Sequence, residues 1–286
     1  MRKIWILLIP FMIYSQEIQS IPVSTYSIVA YDEDTGQLGV AVQSHWFSVG
    51  SLVPWVKAGV GAVATQSFVT VDYGPNGLKL MEKGFSASEA LNTLINVDEN
   101  SAVRQVGMVD ANGNAVAHTG KNCIQYAGHI VGKGYTVQAN LMASPKVPAA
   151  MVRAYESTEG ELVDKLMAAL EAAEKEGGDI RGKQSAAIII ATGQPIGIEW
   201  QDKLFDLRIE DHPDPVNEMK RLVRVARAYQ HANQGDLYLE EGKVDSALIE
   251  YDLATEYYPE NPELPFWTAV SLASVDRLEE ALPIFK

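Results

Sequence analysis

The sequence predicts an α+β protein: two mainly antiparallel sheets sandwiched between helical layers, followed by an all-helical tail. Three observations carry this expectation. Short β-branched segments alternate apolar and polar residues and are joined by turn signals, as in residues 26–31 with 39–43 and 105–110 with 115–119. Stretches of helical period interleave with these hairpins in pairs. Beyond residue 216 the pattern is helical throughout, apart from short breaks.

The elements follow in order. Arg2 and Lys3 precede an 11-residue apolar run, residues 4–14, and Ser15 is small enough to stand before a cut that leaves Gln16 at the terminus. Residues 1–15 therefore read as a secretory signal peptide, too short to span a bilayer, and residues 16–24 as a linker. The protein is expected to be secreted or periplasmic. Asp32-Glu33-Asp34-Thr35-Gly36 turns the first hairpin, and a third strand is expected at 60–66. Tyr73-Gly74-Pro75 breaks the pattern before a helix at 77–83, which Gly84 stops. Ser86 with Glu89 three residues on has the form of a capping box opening another helix. Asn112-Gly113 turns the second hairpin, and residues 135–142 read as a strand. Helical period then covers 147–158 and 161–176, ended by Gly177-Gly178. The continuous apolar run of residues 185–191 reads as a strand buried on both faces, and 204–209 as the last strand. His212-Pro213-Asp214-Pro215 marks the boundary between a main domain, 25–215, and a tail, 216–286.

Composition excludes several classes. Of 286 residues, 47% are apolar and 21% charged, as in an ordinary globular protein. The net charge of −14 repels phosphate backbones and anionic lipid, so neither nucleic acid nor, once the leader is cut, a membrane is an expected partner. Cys123 is the single cysteine, which rules out an intramolecular disulfide and a cysteine metal cluster; it reads as a small buried hydrophobe before it reads as a nucleophile. His118 and His129 stand on different segments, so no metal site is expected. Residues 59–64, Gly-Val-Gly-Ala-Val-Ala, imitate a dinucleotide fingerprint but lie in an alternating strand with no helix after it. No cofactor is expected.

In the tail, Ala247 and Tyr251 recur as Ala281 and Phe285, a period of 34 residues. Gly235, Tyr238, Ala254 and Pro259 occupy the small, aromatic, small and proline positions of a tetratricopeptide-like repeat. The second repeat stops inside its second helix, which predicts a truncated array. One and a half such repeats must pack on the main domain, pair with another subunit or continue beyond Lys286, and the tail is expected to serve a homo-oligomer or a protein partner.

Several blocks carry a resemblance. Residues 25–30 (TYSIVA), 39–44 (GVAVQS), 58–66 (AGVGAVATQ), 73–75 (YGP), 177–185 (GGDIRGKQS) and 211–215 (DHPDP) look like those of domain of unknown function 1028. The resemblance implies an αββα sandwich like that of N-terminal-nucleophile hydrolases. In that fold a terminal Thr, Ser or Cys attacks an amide with its own α-amino group as base. Thr25 is the matching position. It is either that nucleophile or a β-branched strand residue, and exposing it requires a cut after Ser24 rather than after Ser15. In the 179–185 loop, Arg181 could clamp a substrate carboxylate and Asp179 take an amine, with Gln184 or Ser185 orienting the substrate; Asp179 and Arg181 could equally pair with each other. Ser44, His45, Thr65, Gln66 and Asn140 fall at predicted strand ends, where they could line the same mouth, and Asn140 has the chemistry of an oxyanion donor. The expected function is a secreted amide-bond hydrolase acting on a small amide or peptide-like substrate. The alternative is a non-catalytic binding or scaffold protein that uses sandwich and tail to hold a ligand or partner.

Overall fold

The structure is a computed structural model that describes residues 21–23 and 25–285; the predicted signal peptide, with its cleavage site, lies outside the described residues. The chain opens with strands β1 (Ile21–Val23), β2 (Thr25–Tyr31), β3 (Leu38–Ser44), β4 (Pro54–Lys57) and β5 (Gly61–Val69). Helices α1 (Tyr73–Glu82) and α2 (Ala87–Val97) follow, then β6 (Arg104–Asp110), β7 (Ala115–Thr119), β8 (Gly128–Gly132) and β9 (Tyr135–Ala139). Helices α3 (Val147–Ser157) and α4 (Leu162–Lys175) precede β10 (Ser185–Ala191) and β11 (Lys203–Ile209). The tail is α5 (Pro215–Glu240), α6 (Val244–Tyr257), α7 (Glu263–Ser274) and α8 (Leu278–Ile284).

The strands form two sheets. One runs β1-β5-β6-β7, with β4 also paired to β5; the other runs β11-β10-β3-β2-β9-β8. Strand alternation sorts the side chains into layers. Val29, Val40 and Val42 meet Ala62, Ala64 and Val109 between the sheets. Tyr26, Ile28 and Ile188 point the other way, onto Met151 of α3 and Leu162, Leu166 and Leu170 of α4. Val63, Val106 and Met108 turn outward onto Leu78, Met81 and Leu91 of α1 and α2. Helices thus cover both outer faces of a mixed α+β domain, and each buried Leu, Ile or Val contributes about 1.5–3 kcal/mol.

Several expectations hold locally. Ser86 and Glu89 form the capping box, and β10 is buried along its whole length. Others shift. Residues 73–75 are not a break: α1 begins at Tyr73 and carries Pro75 in its first turn, where the missing N–H has no intrahelical partner to lose. Gly74 is required there for space, since a Cβ would stand 2.3 Å from the Trp55 ring. The strand expected at 135–142 ends at Ala139, and β1, β4 and β8 are edge pieces of three, four and five residues, too short to stand out in the sequence.

The first half of α5 belongs to the main domain: Val216, Met219 and Val223 join the cluster beneath α4, and Arg227 pairs with Asp164 and Glu161. Its second half packs with α6 and α7 through Ala228, Ala232, Ala254 and Leu264. Gly235 lets α6 approach, because a Cβ there would lie 2.6 Å from the Tyr251 ring. Among the described residues no helix is long and apolar enough to cross a membrane.

Candidate functional site

The strands β1 and β2 are consecutive in sequence yet belong to different sheets. Val23 is registered with Ser67 of β5, and two residues later Thr25 is registered with Ser44 of β3. The chain therefore crosses from sheet to sheet immediately before Thr25. Thr25 is fully buried there. Its hydroxyl donates to the Val23 carbonyl at 3.1 Å and lies 3.2 Å from Ser44 Oγ.

The Thr25 carbonyl is held just as closely. It accepts from the Asn140 backbone N–H at 3.0 Å, from Asn140 Nδ2 at 3.4 Å and from Gln66 Nε2 at 3.2 Å. Behind these contacts lies a buried polar network between the sheets. Ser27 Oγ donates to Gln66 Oε1 at 2.6 Å and accepts from Gln138 Nε2 at 2.7 Å. Gln105 Oε1 accepts from Gln66 Nε2 at 2.8 Å and Asn140 Nδ2 at 2.9 Å. Gln105 Nε2 in turn donates to Thr119 Oγ1 and the Ala139 carbonyl, both at 2.9 Å. Asn140 Oδ1 is buried with no partner among the described residues, an arrangement that costs free energy unless a ligand or water supplies a donor.

Two non-glycine residues with left-handed backbone, Ser67 and Leu141, border this site. Ser48, Ser67 and Leu141 have φ of 57°, 72° and 56° without being glycine. Such residues cost about 1–3 kcal/mol each and persist where the surroundings impose them. Ser67 faces Val23, and Leu141 follows Asn140 directly.

The predicted 179–185 loop reaches the same end of the sandwich. Its Ile180 N–H donates to the Leu141 carbonyl at 3.2 Å, and Asp179 Oδ2 accepts from the His45 N–H at 3.2 Å. Arg181 closes on Asp179, with Nη2 at 2.7 Å from Oδ2 and Nε at 3.1 Å from Oδ1. Its side chain is still 30% exposed. His45 Nδ1 lies 3.4 Å from the Lys183 carbonyl. Gln184 Nε2 donates to Asp211 at 3.2 Å, which turns it toward the start of the tail. The Ser185 hydroxyl bonds the Trp46 carbonyl and accepts from the Val49 N–H, so it fastens the turn after β3. Thr65 and Gln66 stand on opposite faces of β5: Gln66 points between the sheets, and Thr65 bonds the Thr70 carbonyl at 3.1 Å on the other side. Thr25, Ser44, Gln66 and Asn140 are thus brought together, and Asp179, Arg181 and His45 stand beside them; Gln184 and Ser185 meet Ser44 through the backbone, but their side chains and that of Thr65 bond elsewhere.

Sequence reasoning missed Ser27, Gln105 and Gln138. The usable signal was the spacing: Thr25-x-Ser27 and Thr136-x-Gln138-x-Asn140 place polar residues on one face of otherwise apolar strands. It also missed the charged cluster on the helical side of β2. Burial, reinforced by Glu174, raises the Tyr26 pKa far above its ordinary value, and its hydroxyl donates to Glu174 at 2.5 Å. A hydrogen bond from Lys183 to Glu174 lifts the Lys183 pKa, with Asp214 adding to it. Burial likewise raises the Cys123 thiol, which keeps it protonated and a poor nucleophile at neutral pH. Among the described residues, no three His, Cys, Asp or Glu are grouped to hold a metal ion.

A family model described as a family of unknown function, DUF1028, matches residues 25–219. The structure is similar to the crystal structure of protein SPO2555 from Silicibacter pomeroyi, described with the DUF1028 family model. The two are 27% identical with a TM-score of 0.63, over 70% of this chain and 88% of that one. No curated protein matches the chain.

Proposed function

The chain belongs to the DUF1028 family of unknown function, and from that premise we propose that it is a secreted amide-bond hydrolase whose nucleophile is Thr25, acting from a newly made chain terminus. The observation that carries this reading is the placement of Thr25. It sits where the chain crosses between sheets, with its hydroxyl against Ser44 and its carbonyl fixed by two buried amides. The family match begins at this same residue. The order helix, sheet, sheet, helix is also the layering that N-terminal-nucleophile hydrolases use.

The chemistry follows from what a cut before Thr25 would release. A threonine hydroxyl is a weak nucleophile without a base beside it. The freed α-amine, with a pKa of about 7.7–8.0, lies in reach of the hydroxyl on its own residue and suits a general base. It takes the hydroxyl proton as Oγ1 attacks the substrate carbonyl, then delivers that proton to the leaving nitrogen as the C–N bond breaks. Water hydrolyses the resulting ester by the same route and releases the carboxylic acid. Asn140 Nδ2, 3.4 Å from the Thr25 carbonyl, is the side-chain donor assigned to the developing oxyanion, and the Asp179–Arg181 pair supplies charge at the rim. In the uncut chain Thr25 is amidated, buried and bonded to Val23, so the same geometry supports an inactive precursor.

The tail is read as one and a half tetratricopeptide-like repeats. A second, non-catalytic reading rests on its exposed Phe266, Trp267, Leu282 and Phe285, which fit a protein partner or a second copy better than solvent.

Intact mass of the exported protein, together with hydrolysis of chromogenic amides, tests the catalytic reading. A chain that begins at Thr25 is expected. Thr25→Ala abolishes turnover with the circular-dichroism spectrum unchanged, and Thr25→Ser retains part of it. Hydrolysis by a chain that still begins at Gln16, or full activity of Thr25→Ala, refutes the mechanism.

A further inference from the structure

Strand β1 holds a place on β5 that a substrate could use. It has three residues and lies on the free edge of β5, registered Ile21 to Val69, Pro22 to Phe68 and Val23 to Ser67. The same edge of β5 is already filled by β4 over Pro54–Lys57, paired with Gly61 to Ala64. Beyond β4, then, the only strand on this edge of β5 among the described residues is the three-residue β1, over Ser67–Val69, and this stretch leads directly to Thr25. Pro22 fits such a position, since an edge strand needs donors on one side only. Val23 is fully buried and belongs to the cluster between the sheets. Its carbonyl is the acceptor of the Thr25 hydroxyl at 3.1 Å.

Resting on the reading of Thr25 as a terminal nucleophile, we propose that the β5 edge over Ser67–Val69 is the acyl-side subsite of an extended peptide substrate, and that β1 marks it by filling it in the uncut chain. The direction is fixed by the chain itself. Residues before Thr25 run along β5 toward the hydroxyl, so the acyl part of a substrate runs the same way and its scissile carbonyl arrives at Thr25 Oγ1. Position two before the scissile bond then takes a β-branched or similarly small apolar side chain, because Val23 occupies an apolar pocket there. Once the bond after Ser24 is broken, only a three-residue strand holds the old segment, and a strand that short exchanges readily with another peptide. This is strand addition to a sheet edge, with main-chain hydrogen bonds giving affinity and one side-chain pocket giving selection.

The test uses the exported protein with Thr25 at its terminus and a fluorescein-labelled Ile-Pro-Val-Ser peptide bearing a free carboxylate. Anisotropy is expected to show saturable binding, and the unlabelled peptide to inhibit amide turnover competitively. The Ile-Pro-Asp-Ser analogue should bind at least about tenfold more weakly, because the pocket loses an apolar side chain. Protein that retains residues 16–24 should not bind, its edge being filled in cis. If the exported protein is never cut, the titration is run on the Val23→Asp chain, in which a buried carboxylate expels β1; binding there but not to the parent chain supports the subsite. Equal binding to cut and uncut protein, or no binding to either the cut protein or the Val23→Asp chain, overturns it. Turnover that depends on Thr25 but ignores saturating peptide sinks the subsite and leaves the nucleophile standing. Peptide binding beside an active Thr25→Ala enzyme does the reverse.

Discussion

Gln66 and Thr65 are neighbours on β5 with opposite tasks, and replacing each in turn separates the inter-sheet network from the rest of the fold. The Gln66 side chain donates to the Thr25 and Gln138 carbonyls and to Gln105 Oε1, and accepts from Ser27 Oγ. Gln66→Leu keeps the volume and removes all four contacts. Thr25 O retains Asn140, and Gln105 Oε1 retains Asn140 Nδ2. The Ser27 hydroxyl proton and the side-chain contact to the Gln138 carbonyl have no replacement. At about 1–3 kcal/mol for each buried group left unsatisfied, and with a partial offset from the apolar side chain, the loss comes to about 2–4 kcal/mol. Thr65→Val removes a single bond to Thr70 and should cost about 1 kcal/mol. Urea unfolding followed by tryptophan fluorescence measures both. If Gln66→Leu costs less than Thr65→Val, the network is not what holds the sheets in register at Thr25.

Two further outcomes follow from single contacts. A Cβ on Gly107 would stand 2.3 Å from Gln138 Oε1, so Gly107→Ala should destabilise by about 1–3 kcal/mol and lower turnover by displacing Gln138 from Ser27; unchanged thermal stability would contradict the packing. Burial works to raise the Asp32 pKa, yet hydrogen bonds from Thr35 and the Lys165 charge outweigh it and hold the carboxyl below its ordinary value. Its contribution is therefore present above that value and lost as pH falls through the lower folded one. Asp32→Asn should cost about 1 kcal/mol at pH 7 through its weaker bonds from Thr35, and its stability should converge on that of the parent chain as pH falls through the lowered folded value. A gap independent of pH would show that the carboxylate's charge plays no part.

Much of the scaffold was legible because its elements are long and periodic. The β2–β3 hairpin, the β6–β7 hairpin, α4 and β10 all announce themselves by alternation, helical period or a closed apolar run. The site was legible in part. Thr25, Ser44, Gln66 and Asn140 could be placed at strand ends, but which of them meet depends on sheet order, and no local pattern shows that β2 lies beside β9 rather than β5. Thr65 was grouped with Gln66 because adjacency in sequence hides a change of face. β1 was invisible: three residues with a central proline carry no strand signal, and only the waiting edge of β5 makes them a strand.

Helix α5 spans 26 residues, a rod of about 39 Å. Its root is tied to the loop beside Thr25, because Asp214 at its start pairs with Lys183, and Lys183 also holds Glu174. Its far end lies among α6 and α7, beyond the body of the sandwich. The first half of the rod, through Arg227, is fixed to the sandwich by its apolar face and by the Arg227 ion pairs, so only the second half, about 20 Å, projects from a rigid mount. A tilt of about 5° of that half carries the far end through about 2 Å. The helix is a bracket: it holds α6 and α7 at a fixed bearing from the loop that Lys183 anchors, so whatever the tail touches is held at a set position relative to the site.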